Sequence, residues 1–566
     1  MLGAALPCCA AYATGASNQI QHVIMIMEEN RSFDHYFGTY PGANGYPKGT
    51  CVPLNPSQPT QGCVTPFHDP HDISTGGPHS YNSAVADIDG TGATPPFDGF
   101  VYQQTIGGSL CSDRVPPAKG PVKAPSKGCG NVFPGVLRHD VMGYHNASEI
   151  PNYWAYAQHF VLQENMFEGV RAASPAAHLD MTSEWSASCT KPTDVSTCTT
   201  SPFPQHPVGN NVVFPWVNLF QLMDINGVSW KYYLGTGQEP DCEDDQMTCE
   251  PAVQAAGILS YWNPAPGFAW VEAQGGSYIA AHNPQIDQFL VDVKNGTLAQ
   301  VSWIVPPFNF SDHPAAGITA GQDFVTSLVN AVMQSPYWQN TAIFISWDDW
   351  GGFYDHVLPP TIDLNSRGVQ GYGLRVPGLL VSAWAKPGYI DKSLLSFDAY
   401  AVLFENLFMN GARLDPTALG EPDSRPTIRD ELTMATYPGG ATAPIGQLIK
   451  EFDFKQTALP ALVLNTHVPP GIMIKCGTAN ADYPEECTTN KVTVSWDSVS
   501  GTYIPGPFTY HVLRDGEAPA KACVTTTKTT CIDKNVPAGT HYYTVYSVDS
   551  SNVSSPTSAA AEADVP

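Results

Sequence analysis

Up to about residue 465 the chain is punctuated by short, continuous apolar runs at residues 23–27, 160–162, 301–305, 342–346 and 379–381. They lack the alternation of a half-exposed strand and are too short for helices. Stretches of helical periodicity separate them. The pattern predicts an α/β fold, with a mostly parallel sheet covered by helices on both faces. In such a sheet a ligand binds beyond the carboxyl ends of the strands. From about residue 470 the texture changes. VTVSW, FTYHVL and HYYTVYSV alternate strictly, placing Val492, Val494, Trp496, Phe508, Tyr510 and Val512 on inner faces. Turn signals at Arg514-Asp515-Gly516 and Pro537-Ala538-Gly539 separate these runs. Short alternating strands at this spacing predict a β-sandwich over residues 472–566. Residues 465–471, rich in proline and glycine, fit a linker, so the α/β unit spans 18–465.

The residues that follow the apolar runs agree with one another. Glu28-Glu29-Asn30 follow the first, and Trp347 with Asp348-Asp349 follows the fourth. Pro306-Pro307 and then Ser311-Asp312-His313-Pro314 follow the third. Gln163-Glu164-Asn165 and later Ala173-Ser174-Pro175 follow the second. A single acidic pair after a strand reads as a helix cap or a solvated turn. Carboxylates, an amide, a histidine and a serine gathered at one sheet edge read as a site that holds a cation. Oxygen donors suit a divalent ion better than a zinc–thiolate centre does. Ser174 has two readings of equal weight. Ser-Pro ahead of an Ala-rich run makes a good helix cap. The same geometry offers backbone N–H groups to a phosphate and makes a metal-activated serine a nucleophile, with His178 one turn on.

Charge narrows the partners. Acids outnumber bases 52 to 26, a net charge of −26, with no basic stripe. That excludes nucleic acid as a partner, because phosphate backbones need clustered Lys and Arg. An anionic substrate would need a local positive charge such as a metal. Twelve of the 14 cysteines fall into near neighbours, Cys51/Cys63, Cys111/Cys129, Cys189/Cys198, Cys242/Cys249, Cys476/Cys487 and Cys523/Cys531. Loop-borne local pairs predict six short disulfides and an oxidising compartment. Residues 1–17 are small and apolar with no basic residue and read as a signal remnant, and no run reaches the ~18 apolar residues of a membrane span. The expectation is an exported protein, extracellular or periplasmic.

ENRSFDHYFG, MGYHNASEIPNYW, SDHPAAG and DDWGGFYDHVLPP, in that order, resemble the secreted bacterial phosphoesterase family, which holds phosphocholine-preferring phospholipases C and related acid phosphatases. The resemblance implies an alkaline-phosphatase-like catalytic fold over about residues 20–455. Carried onto this chain, it implies one divalent metal ion held by Glu29, Asn30, Ser174, Asp348 and Asp349. It also implies a Ser174 nucleophile, and His79, His178 and His313 to hold phosphoryl oxygens and protonate the leaving group. Calcium, magnesium, manganese or iron would each suit such donors. Asp355 and His356 are expected to brace the Gly351-Gly352 loop, and His68 and His71 to be surface residues. Two departures stand out. Ala172-Ala173 replace the usual Gly-Pro before the nucleophile, and residues 388–398 lack a histidine that relatives often carry. The C-terminal run, with its early Trp and late Tyr-rich strand, resembles a fibronectin type III module. This differs from the tail domains of the larger phospholipases C and tilts the expectation toward an acid phosphatase.

The expected activity is therefore hydrolysis of phosphate esters, a hydrolase acting on ester bonds, with phospholipid head groups as the alternative substrate. A sulfatase would need Cys or Ser in a C/S-x-P-x-R context, which Ser174-Pro175-Ala176-Ala177-His178 does not supply. An adhesion protein with an inactive enzyme scaffold is the reading from a different class. The C-terminal module would then bind glycan, cell wall or protein.

Overall fold

A computed structural model describes residues 19–566; the main stretches outside the described residues are 89–95, 108–138, 190–197, 200–213, 240–251, 361–371, 415–433, 477–484 and 497–507. Residues 1–18, and with them the signal remnant, also lie outside.

Eight strands form the central sheet: β1 (His22–Glu28), β2 (Val161–Phe167), β3 (Trp230–Leu234), β4 (Val301–Val305), β5 (Thr341–Trp347), β6 (Arg375–Ser382), β7 (Tyr389–Asp391) and β8 (Leu395–Ser396). Their order is β7-β2-β6-β5-β1-β4-β3, with β8 also on β2. β1 pairs parallel with β5 and β4, and β4 pairs parallel with β3. β6 runs antiparallel to both its neighbours, β5 and β2. The sheet is thus mixed, and the apolar run at 379–381 lies in the reversed strand. Periodicity alone does not fix strand direction.

Consecutive residues of β1 point to opposite faces, yet Val23 through Met27 are all buried. Both faces are therefore covered. Side chains from α1 (Phe33–Phe37), α2 (Pro151–His159), α3 (Ser174–Ser183), α4 (Ile318–Met333) and α5 (Asp398–Phe408) join the strands in one apolar core. α4 shows why: Ile318, Val325, Leu328, Val329 and Val332 recur at helical spacing and are all buried. Among the described residues no helix is long and apolar enough to cross a membrane.

Toward the C-terminus, β9 (Met473–Lys475), β11 (Lys491–Ser495) and β13 (Thr530–Lys534) make one sheet. β10 (Glu485–Glu486), β12 (Thr509–Arg514), β14 (Gly539–Val548) and β15 (Ala561–Val565) make another. Val492, Val494, Trp496, Tyr510, Val512, Tyr543 and Val545 share one buried cluster. The alternation read from the sequence places the expected residues inward. Cys51–Cys63, Cys476–Cys487 and Cys523–Cys531 are disulfide-bonded. Cys189 and Cys198 stand opposite each other on a short backbone ladder. The side chains of that pair, and the Cys111/Cys129 and Cys242/Cys249 pairs, lie outside the described residues.

Candidate active site

β1 and β5 run in register from His22 beside Thr341 to Glu28 beside Trp347. The Asp348 N–H extends the ladder by donating to the Glu28 carbonyl at 3.0 Å. The two strands thus release Glu29-Asn30 and Asp348-Asp349 at one edge. Asn30 turns the chain in the left-handed region at φ 62°, where Asn is among the few side chains tolerated. Its N–H donates to Asp348 Oδ1 at 2.9 Å. Asp349 Oδ1 accepts from the Gly351 N–H at 2.6 Å. Glu29, Asn30, Asp348 and Asp349 are all fully buried.

Ser174 opens α3. Ala173 occupies the cap position without a side-chain cap bond, so the capping reading of Ser174 is corrected. The hydroxyl instead faces acceptors: Glu29 Oε2 at 3.1 Å, Asn30 Oδ1 at 3.4 Å and Asp349 Oδ2 at 3.3 Å. One hydroxyl proton cannot serve three acceptors at once, and three buried carboxylates converge here. A divalent cation among these oxygens relieves that crowding, and the donor set fits one. Glu29, His178 and Asp348 each offer an atom within 4.8 Å of the others. His178 Nε2 lies 2.9 Å from Glu29 Oε1.

His79 acts on Asn30. Its Nδ1–H donates to the Gly77 carbonyl at 2.9 Å, leaving Nε2 to accept from Asn30 Nδ2 at 3.0 Å. That contact orients the amide so that its oxygen faces Ser174. His313 stands beside His79, with ring centroids 6.3 Å apart, rather than directly after β4. A short 3-10 turn, Phe308–Phe310, intervenes. The His313 Nδ1–H donates to the Pro314 carbonyl at 3.0 Å, and the rings of Trp262 and Phe308 lie 5.9 and 5.6 Å from its ring.

The second acidic cluster of the edge is not where the sequence placed it. Gln163, Glu164 and Asn165 lie inside β2, which runs on to Phe167. The acid at the strand end is Glu168, which is fully buried. Its Oε1 accepts the Ala172 N–H at 3.0 Å and so closes the turn that carries Ser174. Burial pushes its carboxyl well above the usual range, and the charges of Asp349 and Asp348 push the same way. Gly373 lets it in, since a Cβ there would lie 1.7 Å from the Glu168 side chain. An acid just before Gly169, six residues ahead of the serine, was the available signal.

Asp34, Asp355 and His356 form a second group close enough for a metal. Arg375 already offsets part of its charge, with Nη2 2.9 Å from Asp34 Oδ1 and Nε 3.0 Å from Asp355. Asp34 Oδ2 also accepts from His356 Nδ1 at 2.7 Å. This is an ion-pair brace that ties Asp355 and His356 to Asp34 and Arg375, whereas the Gly351-Gly352 loop they were expected to brace packs on Asn30 and Gly77. His68 is partly exposed and pairs with Glu149 at 3.0 Å, while His71 lies outside the described residues.

Gly351 and Gly352 sit at φ 59° and 72°, and the Gly77 N–H donates to the Gly351 carbonyl at 2.8 Å. A Cβ on Gly352 would lie 2.3 Å from the Gly77 backbone. Gly352→Ala should push away the loop that carries His79. Turnover should fall on the order of 10²-fold, as misplacement by about 1 Å does elsewhere. Steady-state kinetics beside far-ultraviolet circular dichroism will check this; unchanged kcat would sever the link between this turn and His79.

The model of the Phosphoesterase family matches residues 20–405, which contain every one of these side chains. This chain belongs to the Phosphoesterase family. Among its relatives is the non-hemolytic phospholipase C of Burkholderia pseudomallei, 27% identical over 70% of this chain and 57% of that protein. Phospholipase C B of Mycobacterium tuberculosis is 25% identical over 66% of this chain and 70% of the other. This Phosphoesterase family member thus spans little more than half the length of the Burkholderia protein. A Vibrio parahaemolyticus protein described as in the alkaline phosphatase superfamily covers 56% of this chain and 76% of its own, at 14% identity and a TM-score of 0.28.

Proposed function

We propose that this Phosphoesterase family member is an exported, metal-dependent hydrolase of phosphate esters that works through a phosphoserine at Ser174. The observation that carries the reading is the buried Ser174 hydroxyl at 3.1–3.4 Å from oxygens of Glu29, Asn30 and Asp349. The cation would be held by Glu29, Asn30, Ser174, Asp348 and Asp349. When bound, it supplies a lowered serine pKa and a charge opposite the phosphoryl oxygens. Ser174 sits at the first position of α3, whose leading N–H groups favour a phosphate. As the Oγ–P bond forms, the hydroxyl proton has an acceptor in Glu29 Oε2. The P–O bond to the leaving alcohol breaks, and that alkoxide takes up, through water, the proton that Glu29 Oε2 received. Water then cleaves the phosphoserine and restores the hydroxyl. In this reading His79 orients Asn30, and His313 beside it meets the phosphoryl group or the leaving oxygen.

The names of the relatives favour a second reading on substrate. They are phospholipases C, which supports a phosphodiester head group over the monoester suggested by the C-terminal module. We read that module as fibronectin type III-like and the catalytic sheet as alkaline-phosphatase-like. The disulfides support export.

Hydrolysis of p-nitrophenyl phosphate beside p-nitrophenyl phosphorylcholine, with and without a chelator, tests the reading. Turnover of at least one ester, lost with chelator and restored by a divalent ion, is the expected result. Diester turnover alone assigns a phospholipase C, and monoester turnover alone a phosphatase. Activity on neither ester overturns the proposal and favours the adhesion protein.

A further inference from the structure

A residue outside the motifs fixes the chemistry of His178. Tyr232 sits on the edge strand β3 and is fully buried. Its hydroxyl lies 2.7 Å from the Trp262 carbonyl, which can only accept, so the single phenolic proton is committed there. The phenolic oxygen must then accept from His178 Nδ1, 3.3 Å away. In its neutral form, with the proton on Nδ1, His178 turns the lone pair of Nε2 toward Glu29 Oε1 at 2.9 Å and Asp348 Oδ2 at 3.9 Å. A lone pair opposite two carboxylate oxygens is repulsive unless a proton or a cation lies between them, and a cation serves all three of Glu29, His178 and Asp348 at once. Two donors on one ion at bond lengths of about 2.0–2.4 Å stand about 3–4 Å apart, which matches these separations.

We infer that His178 Nε2 is a nitrogen ligand of the cation held by Glu29 and Asp348, and that Tyr232 is the positioning residue that sets its tautomer. The inference rests on the metal-dependent reading above and changes its donor set from all oxygen to oxygen with one imidazole. That shifts preference away from calcium and magnesium and toward manganese, iron or another transition metal. The support for Tyr232 is itself built in. Glu239, fully buried, accepts the Tyr261 N–H at 2.8 Å and the Trp262 N–H at 3.0 Å, which holds the Trp262 carbonyl in place. Asn283 Nδ2 donates to the Tyr232 carbonyl at 2.8 Å. A ligating histidine commonly spends its other N–H on such a partner, and losing the partner costs about 10–100-fold in metal affinity.

The test is pulsed electron paramagnetic resonance of the full chain loaded with Mn(II), beside Mn(II) titration calorimetry. Wild type should show coupling from a directly bound ¹⁴N, and His178→Ala should lose it. Tyr232→Phe should keep the coupling while Mn(II) affinity falls about 10–100-fold. Absence of nitrogen coupling in wild type, or its survival in His178→Ala, would overturn the ligand assignment; the wild-type spectrum needs no variant to fold. Wild-type affinity in Tyr232→Phe would overturn the positioning role. Bound Mn(II) without nitrogen, together with metal-dependent ester hydrolysis, would sink this inference alone. Failure to bind Mn(II) or any other divalent ion would sink both.

Discussion

Ser174→Ala should abolish ester hydrolysis, by roughly 10⁴-fold or more as loss of a nucleophile does in other hydrolases, while lowering the melting temperature only slightly. The two halves of this expectation have separate causes. The turnover half follows from the position of Oγ, the one nucleophilic atom among the acceptors of Glu29, Asn30 and Asp349. The stability half follows from what the hydroxyl does not do. A capping serine replaced by alanine would cost about 0.5–2 kcal/mol. Here Ala173 holds the cap position and Ser174 makes no capping bond, so no such cost is due. The hydroxyl is the donor facing these buried acceptors, so its loss costs the single hydrogen bond it makes, about 1–3 kcal/mol. Kinetics on p-nitrophenyl esters and a thermal melt of the same preparation check both halves. A large drop in melting temperature with modest loss of turnover would return Ser174 to the role of helix cap.

The outline of this site was legible because the strands that carry it are apolar throughout. Residues 23–27, 301–305 and 342–346 lie within β1, β4 and β5, buried on both faces, and the polarity break after each marks its end. β2 was cut short because Gln163, Glu164 and Asn165 look like a strand terminus. They stay within it because Gln163 and Glu164 find partners for their polar atoms, Glu451 for Gln163 and the Asn44 N–H for Glu164. The earlier polar triplet thus masks Glu168, the acid at the true strand end. β3, with the sequence WKYYL, has a lysine whose charge breaks the apolar run. Lys231 is satisfied by Asp292, a partner 61 residues away that no local pattern shows. With no apolar run to mark β3, nothing local marks Tyr232. Local polarity locates the residues that end strands; it does not locate side chains that act by donating or accepting across the fold.

Arg375→Met should cost about 3–5 kcal/mol, the penalty for removing one member of a buried ion pair. The guanidinium contacts both Asp34 and Asp355, donates to the carbonyls of Asn44 and Glu164 at 3.0 Å, and stacks 4.3 Å over the Phe33 ring. Methionine keeps much of the apolar contact and none of the charge. Both carboxylates are fully buried, so neither gains water in exchange. The loss should depend on pH in a set direction. Burial already pushes the Asp355 carboxyl up to about 6, against the pull of Arg375. Removing Arg375 pushes it higher still. A group whose pKa is raised on folding binds its proton more tightly in the folded state, so its contribution to stability is present at low pH and fades as pH rises through the folded value. The variant should therefore be most deficient near pH 8 and closer to wild type near pH 5, where protonation removes the unpaired charge. Thermal unfolding of both proteins at the two pH values gives the comparison. A deficit equal at both would place the cost in packing on Phe33 rather than in the stranded carboxylates. A chelator that still lowers the melting temperature of the Asp348→Asn variant, whose Ser174 site is impaired, would instead mean that Asp34, Asp355 and His356 hold a metal of their own.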